Sequence, residues 1–313
     1  MSTTAVVVMA YGTPADRDAI GEFYTDVRRG HPPTKAQLDD LISRYDAIGG
    51  TSPMNDRTAT QIAALQSALD ELEPGHFRTY YGSKHASPKI EAAIEGAARD
   101  GCDAIVGLVL APHFSTMSVG EYVERAIETA KAVGVRASFL KHWHDEPALI
   151  DALSTRVADA LATLAPEAAL RATVVVTAHS LPRRVLEMDD PYPDELARTA
   201  QLIADRLGLT SWQTGWQSAG KTTEPWLGPD ICELIDERAR DGATAVVVCP
   251  AGFTSDHLEV LYDLDIVAAA RAADAGIAFV RTASLNAEPS VFAALARRVV
   301  ELDEQGTPGN EPE

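Results

Sequence analysis

Basic residues are scarce in this chain: Lys and Arg number 27 against 46 Asp and Glu, a formal net charge of −19. Such a surface repels phosphate backbones and anionic headgroups, which argues against nucleic acid or membrane surfaces as partners. Cysteine is scarcer still. Cys102, Cys232 and Cys249 are scattered and form no Cys-x-x-Cys pair, so neither a disulfide framework nor a cluster on four thiolates is expected. No apolar run approaches the roughly 20 residues of a membrane span. The opening Met1-Ser2-Thr3-Thr4 lacks the basic region of a secretory signal, and a cytoplasmic protein is the expectation. What the chain does have is 46% apolar residues over a length of 313, enough for one large domain or two ordinary ones.

The organising stretch is Ala172-Thr173-Val174-Val175-Val176-Thr177-Ala178-His179-Ser180-Leu181-Pro182. A short β-branched run closed by a polar turn and a proline predicts a strand of a parallel sheet, covered by helices on both faces. His179 then stands at its carboxyl end, where the loops of an open α/β sheet converge on a ligand crevice. An imidazole that merely caps the next helix is the alternative. Residues 5–10 predict a similar strand, ended by Tyr11-Gly12-Thr13-Pro14, and further strands are expected at 77–81, 104–110 and 136–140.

The pattern then restarts. Val6-Val7-Val8-Met9-Ala10-Tyr11-Gly12-Thr13-Pro14 is echoed by Val174-Val175-Val176-Thr177-Ala178-His179-Ser180-Leu181-Pro182, and Asp100-Gly101 leading to Pro112-His113-Phe114 by Asp241-Gly242 leading to Pro250-Ala251-Gly252-Phe253. This predicts an α/β fold of two similar doubly wound domains related by duplication, each with a parallel four-stranded sheet flanked by helices. The boundary is expected at residues 163–171, giving domains at 1–165 and 166–303 and a polar tail at 304–313. If the two sheets face one another across a cleft, Tyr11 and His179 occupy corresponding places on opposite walls.

Several polar groups gather at the expected strand ends. Asp256, Glu259 and Asp263 follow the Pro250 loop at i, i+3 and i+7, the spacing of one helical face. Trp226 is either core or the lining for a flat ligand. The alternating pair His142 and His144 lacks nearby ligands in sequence and is a poor metal site. Asp145 is expected to cap a helix that has Pro147 in its first turn.

Segments in order along nearly the whole chain resemble the ferrochelatase family, most closely its Gram-positive branch that acts on coproporphyrin III. They are Met9-Ala10-Tyr11-Gly12-Thr13-Pro14, Arg44-Tyr45 with Gly49-Gly50-Thr51-Ser52-Pro53, Ala111-Pro112-His113-Phe114-Ser115, His179-Ser180-Leu181-Pro182, Gly215-Trp216-Gln217-Ser218, Trp226-Leu227-Gly228-Pro229 and Asp256-His257-Leu258-Glu259. The resemblance implies a chelatase-like, duplicated Rossmann-type fold and a lyase-class metal chelatase inserting Fe²⁺ into coproporphyrin III. It implies that His179 and Glu259 form the catalytic pair, binding the incoming metal and accepting pyrrole protons, for which an imidazole and a carboxylate are suited. It further implies porphyrin contacts from Tyr11, Arg28, Arg44, Tyr45, Ser52 and Tyr122, with Tyr11 as an axial ligand of the product iron. Tyrosine at that position favours coproporphyrin, whose four propionates need local cations in so acidic a protein.

On the same basis Fe²⁺ is a substrate, no cofactor is required and no iron–sulfur cluster is expected. The expected partners are coproporphyrin III and Fe²⁺, with a downstream coprohaem-processing enzyme as a candidate; nucleic acid and membrane insertion are not expected, and a monomer is. An outer Mg²⁺ site of the family would involve Arg44 and Asp263, but Val267 stands in place of its glutamate. A protoporphyrin ferrochelatase, a related cobalt or nickel chelatase and a non-enzymatic haem or porphyrin carrier remain alternative readings.

Overall fold

The computed structural model describes residues 3–306. Among these residues eight strands, all in parallel pairs, form two sheets of four. In chain order the first half runs β1 (Thr4–Ala10), α1 (Ile20–Val27), α2 (Lys35–Ala47), α3 (Met54–Leu72), β2 (Phe77–Ser83), α4 (Ile90–Arg99), β3 (Ala104–Val109), α5 (Val119–Val133), β4 (Arg136–Leu140) and α6 (Pro147–Ala162). After the short α7 (Pro166–Ala169) come β5 (Ala172–His179), α8 (Tyr192–Leu207), β6 (Trp212–Gln217), α9 (Ile231–Arg240), β7 (Ala245–Cys249) and α10 (Leu258–Leu261). A π-helical turn over Asp263–Ala268, then α11 (Ala269–Ala275), β8 (Ala278–Arg281) and α12 (Pro289–Gly306) complete it.

The sheet orders are β2-β1-β3-β4 and β6-β5-β7-β8, so the internal echo is a true repeat of topology. Central strands carry unbroken apolar runs because helices cover both faces: β1, β3 and β7 are buried along their whole length, whereas edge strand β4 begins with two exposed residues. In each sheet the winding reverses between the two central strands. Loops after β1 and β3, and after β5 and β7, therefore diverge and leave a crevice at the carboxyl edge. Tyr11 follows β1 and His179 ends β5.

The compact units do not divide at residues 165 and 166. Among the described residues one comprises 3–111, 118–142 and 286–306, the other 112–117 and 143–285. Helix α6, continuous in sequence with the first sheet, packs on α8, β7 and β8, while α12, which follows the second sheet, packs on α3, β3 and β4. The two helices are exchanged between the repeats. Side chains fasten α12 in place: Thr4 Oγ1 donates to Asp303 at 2.9 Å, and His76 Nε2 lies 2.8 Å from the same carboxylate. Residues 304–306, expected in the tail, continue α12, and 307–313 lie outside the described residues.

Two local expectations are corrected. Glu146, not Asp145, is the residue before α6, with Pro147 at its first position and no side-chain cap. Asp256, Glu259 and Asp263 do not share one helical face, because α10 spans four residues only and gives way to the π turn, in which the Val267 amide reaches back five residues to the Tyr262 carbonyl at 3.0 Å. Among the described residues no helix is long and apolar enough to cross a membrane.

Candidate active site

His179 is the last residue of β5, paired in register with Gln217 at the end of β6. That pairing explains much of the site. Gln217 is fully buried; its side-chain oxygen accepts from Thr177 Oγ1 at 2.9 Å and its amide donates to the Glu259 backbone carbonyl at 3.2 Å. Two strand ends and the start of α10 are thus tied through one side chain. His179 Nε2 lies 3.5 Å from Glu259 Oε1, and His257 Nε2 is 3.7 Å from the other carboxylate oxygen. His257 Nδ1 bonds the Ser255 carbonyl at 2.9 Å, which leaves Nε2 to face Glu259.

The rear of His179 is also fixed. Its Nδ1–H donates to the Ser180 carbonyl, which leaves Nε2 to face the carboxylate. The buried Tyr192 hydroxyl donates to the His179 carbonyl at 3.0 Å. Burial and the nearby carboxylates of Glu259 and Asp190 keep that phenol well above its ordinary pKa, so it stays a donor. Trp226 is half-buried with its ring centroid 6.3 Å from the imidazole, and Phe253 is at 6.5 Å on another side. Trp226 therefore lines the neighbourhood of His179.

Burial opposes a charge on His179, but the Glu259 carboxylate and the bonds to Glu259 and Ser180 outweigh it and hold the pKa up at about 9. Burial would likewise raise the Glu259 carboxyl, yet His179 and then His257 hold it far below the usual carboxylate range. The pair therefore keeps one proton at neutral pH. Asp263 also acts on His179 electrostatically, and its carboxylate accepts from Ser218. Asp256 is committed elsewhere, accepting from Ser284 at 2.7 Å and from Arg281 at 3.2 Å.

Tyr11 stands directly after β1 and is 39% exposed, an unusual outlet for a large ring beside so buried a strand. Its neighbour is His85, with centroids 4.6 Å apart, and the His85 Nδ1 is 2.8 Å from Asp26. Burial, with Lys84 and Lys89 nearby, outweighs Asp26 and brings the His85 pKa down to about 4, so the ring packs on Tyr11 uncharged. The other candidates in this unit differ in access. Arg28 lies over the Tyr24 ring at 5.7 Å and donates to the His31 carbonyl, and Arg44 pairs with Asp40 at 3.0 Å. Tyr45, Ser52 and Tyr122 are buried. Tyr45 shares a 3.2 Å hydrogen bond with Thr13, and Ser52 Oγ accepts from the Met54 amide. Burial, followed by the neighbouring Tyr11 and Tyr81 phenols, raises the Tyr122 pKa well above its ordinary value.

Residues 3–302 match the ferrochelatase family along almost the whole chain. The chain belongs to the ferrochelatase family. It is 44% identical over 294 residues to a protein of Halalkalibacterium halodurans named coproporphyrin III ferrochelatase, covering 93% of this chain and 94% of that one. A protein of the same name from Bacillus subtilis is 41% identical, covering 94% and 96%. One from Herpetosiphon aurantiacus named simply ferrochelatase is 39% identical, covering 95% and 98%. Among solved structures, SirB from Bacillus subtilis with Fe³⁺ superposes with a TM-score of 0.60 at 15% identity over 97% of this chain and 96% of that one, and CbiX with 0.54 at 18% over 95% and 98%. These two show the shared chelatase fold.

As a ferrochelatase the chain is a lyase-class, metal-chelating enzyme with Fe²⁺ as substrate. Sequence reasoning named His179 and Glu259, and the structure brings them together; it gave no task to Gln217, His257 or Tyr192. The register of β5 with β6 is the signal that marks Gln217. The outer Mg²⁺ ligand set does not fit, since Val267 offers a 41% exposed apolar side chain where a carboxylate would be needed. The loop at residues 141–144 buries Trp143, and the further ligand that the sequence lacked beside His142 and His144 is supplied by Glu195 on α8, the ligand atoms of the three lying within 4.8 Å of one another.

Proposed function

We propose that this ferrochelatase inserts Fe²⁺ into coproporphyrin III, with His179 and Glu259 as the metal-handling and proton-accepting pair. The single observation that carries the reading is the 3.5 Å His179–Glu259 contact at the carboxyl end of a central strand. A pair that holds one proton at rest must give it up to bind a dication, because imidazole and carboxylate ligate only when unprotonated. Incoming Fe²⁺ therefore expels that proton. Once the iron passes to the pyrrole nitrogens, the attraction between His179 and Glu259 restores their proton affinity, and the pair takes up one of the two protons that the ring releases while the other goes to water. Loading favours proton loss and delivery favours proton gain, so proton movement follows the metal in the productive direction. Gln217, Tyr192 and His257 hold the pair in place throughout.

Tyr11, exposed on its own unit, is assigned to the macrocycle and to the axial position of the product iron. Arg28 and Arg44 are the accessible cations among the propionate candidates; Tyr45, Ser52 and Tyr122 supply hydroxyls, that of Ser52 also accepting from the Met54 amide. The names of the relatives at 41–44% identity favour coproporphyrin over protoporphyrin. The reaction needs a porphyrin, a metal and two proton acceptors, hence no cofactor, and we assign it to a cytoplasmic monomer that passes coprohaem to a further enzyme.

The test is anaerobic Fe²⁺ insertion followed by absorbance, with coproporphyrin III and protoporphyrin IX at equal concentration. Preference for coproporphyrin and loss of turnover in His179→Ala, with porphyrin binding retained, are expected. Preference for protoporphyrin would overturn the substrate, and an active His179→Ala would overturn the pair.

A further inference from the structure

The second unit carries a cavity far from His179. It has a volume of about 350 Å³ and is lined at the amino-terminal edge of the sheet by Arg171, Thr173, Ser211, Arg238, Asp241 and Gly242 among others. Because His179 ends the strand that Ala172 begins, the two sites lie roughly 20 Å apart along β5. The volume is that of a small-molecule pocket.

Three features of its polar lining are unusual in so acidic a chain. The Arg171 side chain has no hydrogen-bond or ion-pair partner among the described residues. It lies instead against Gly242, whose φ is +84° and where a Cβ would come within 2.2 Å of Arg171 Nη2; the missing side chain makes the berth for the guanidinium. Arg238 adds a second guanidinium. Its Nη2 pairs with Asp241 at 2.8 Å and with Glu237, but its Nε–H is buried with no partner. The Thr173 and Ser211 hydroxyls, 2.9 Å from each other, supply further donors. Asp241 is the one carboxylate in the lining, and its charge is met by Arg238.

We propose that this cavity binds a small oxyanion, a carboxylate or a phosphate group, on the free fork of Arg171 beside the Thr173 and Ser211 hydroxyls. A planar fork presents two parallel N–H groups to such an anion. The rim residue Leu170, 85% exposed, suits an anion with a short apolar portion. This site is separate from metal insertion and does not depend on it.

Calorimetric titration of the full-length protein with inorganic phosphate and with succinate, against sodium chloride at matched ionic strength, tests it. Saturable binding of at least one oxyanion is expected, about tenfold weaker in Arg171→Gln, with Arg171→Lys between the two because it keeps the charge and loses the fork. The stronger probe identifies the class. Iron insertion should be unchanged in Arg171→Gln. No saturable binding, equal affinity in Arg171→Gln and the parent, or full affinity in Arg171→Lys would overturn the proposal.

Discussion

His113 makes the acid stability of the second unit predictable. Its ring is buried, 2% exposed, and its Nε2 lies 2.9 Å from Thr199 Oγ1. The threonine hydroxyl donates to the His144 carbonyl at 2.8 Å, so its oxygen accepts from His113 Nε2–H, and the buried Nδ1 has no partner. Burial, with His144 adding to it, lowers the pKa from 6.5 to about 3. The folded chain therefore keeps His113 neutral while the unfolded chain protonates it below 6.5. Between those values the unfolded state binds more protons, so stability rises with pH; the contribution is complete above 6.5 and is lost as pH falls toward 3. At about 1.4 kcal/mol per pH step, going from 6.5 to 4.5 costs about 3 kcal/mol through this residue alone. Urea unfolding at intervals from pH 7 to 4.5 measures it. His113→Gln is expected to be less stable at pH 7, having lost a good hydrogen bond, yet to show a shallower decline by about that amount, since carboxylate effects are common to both proteins. Equal slopes would refute the assignment of a neutral, buried His113. The effect reaches the active site, because the segment of His113 also anchors the start of α8: the Phe114 amide donates to Glu195 at 2.6 Å and the Thr116 amide to Asp190 at 2.7 Å, next to Tyr192.

Gly252→Ala would set a Cβ 2.5 Å from Ala178 Cβ and 2.8 Å from its Cα, directly behind His179. Backbone cannot yield there, so a loss of about 1–3 kcal/mol in thermal or urea unfolding is expected together with slower insertion; a variant with parental stability would remove the close approach. Gln217→Leu should cost about 1–3 kcal/mol by stranding Thr177 and the Glu259 carbonyl, and should lower kcat more than it raises the KM for porphyrin. Parental kcat would deny that Gln217 positions Glu259. Tyr11→Phe should change the absorption spectrum of bound ferric product more than the rate of insertion, and an identical spectrum would rule out the phenol as iron ligand.

The strands were legible because β1, β5 and β7 are short β-branched runs with no helical period, and their ends could be read from Tyr11-Gly12, His179-Ser180 and Pro250. The repeat followed from comparing those ends. Asp256 misled because its partner Arg281 is 25 residues away on β8, and spacing alone carries no sign of such a pairing. The π turn was equally hidden: nothing in Asp263-Leu264-Asp265-Ile266-Val267-Ala268 breaks a helical pattern, and the tertiary setting decides it. Nor does an apolar stripe on α6 or α12 reveal which sheet receives it, so the unit boundary could not be read from where the sequence pattern pauses.

That exchange of helices bears on how the chain is made. The first four strands are complete by Leu140, but the helix that closes over β3 and β4 begins only at Pro289. During synthesis part of one face of the first sheet, over β3 and β4, waits for α12 after the whole second sheet has emerged. Removing α12 therefore strikes the first unit: the damage is to the neighbourhood of β3 and β4.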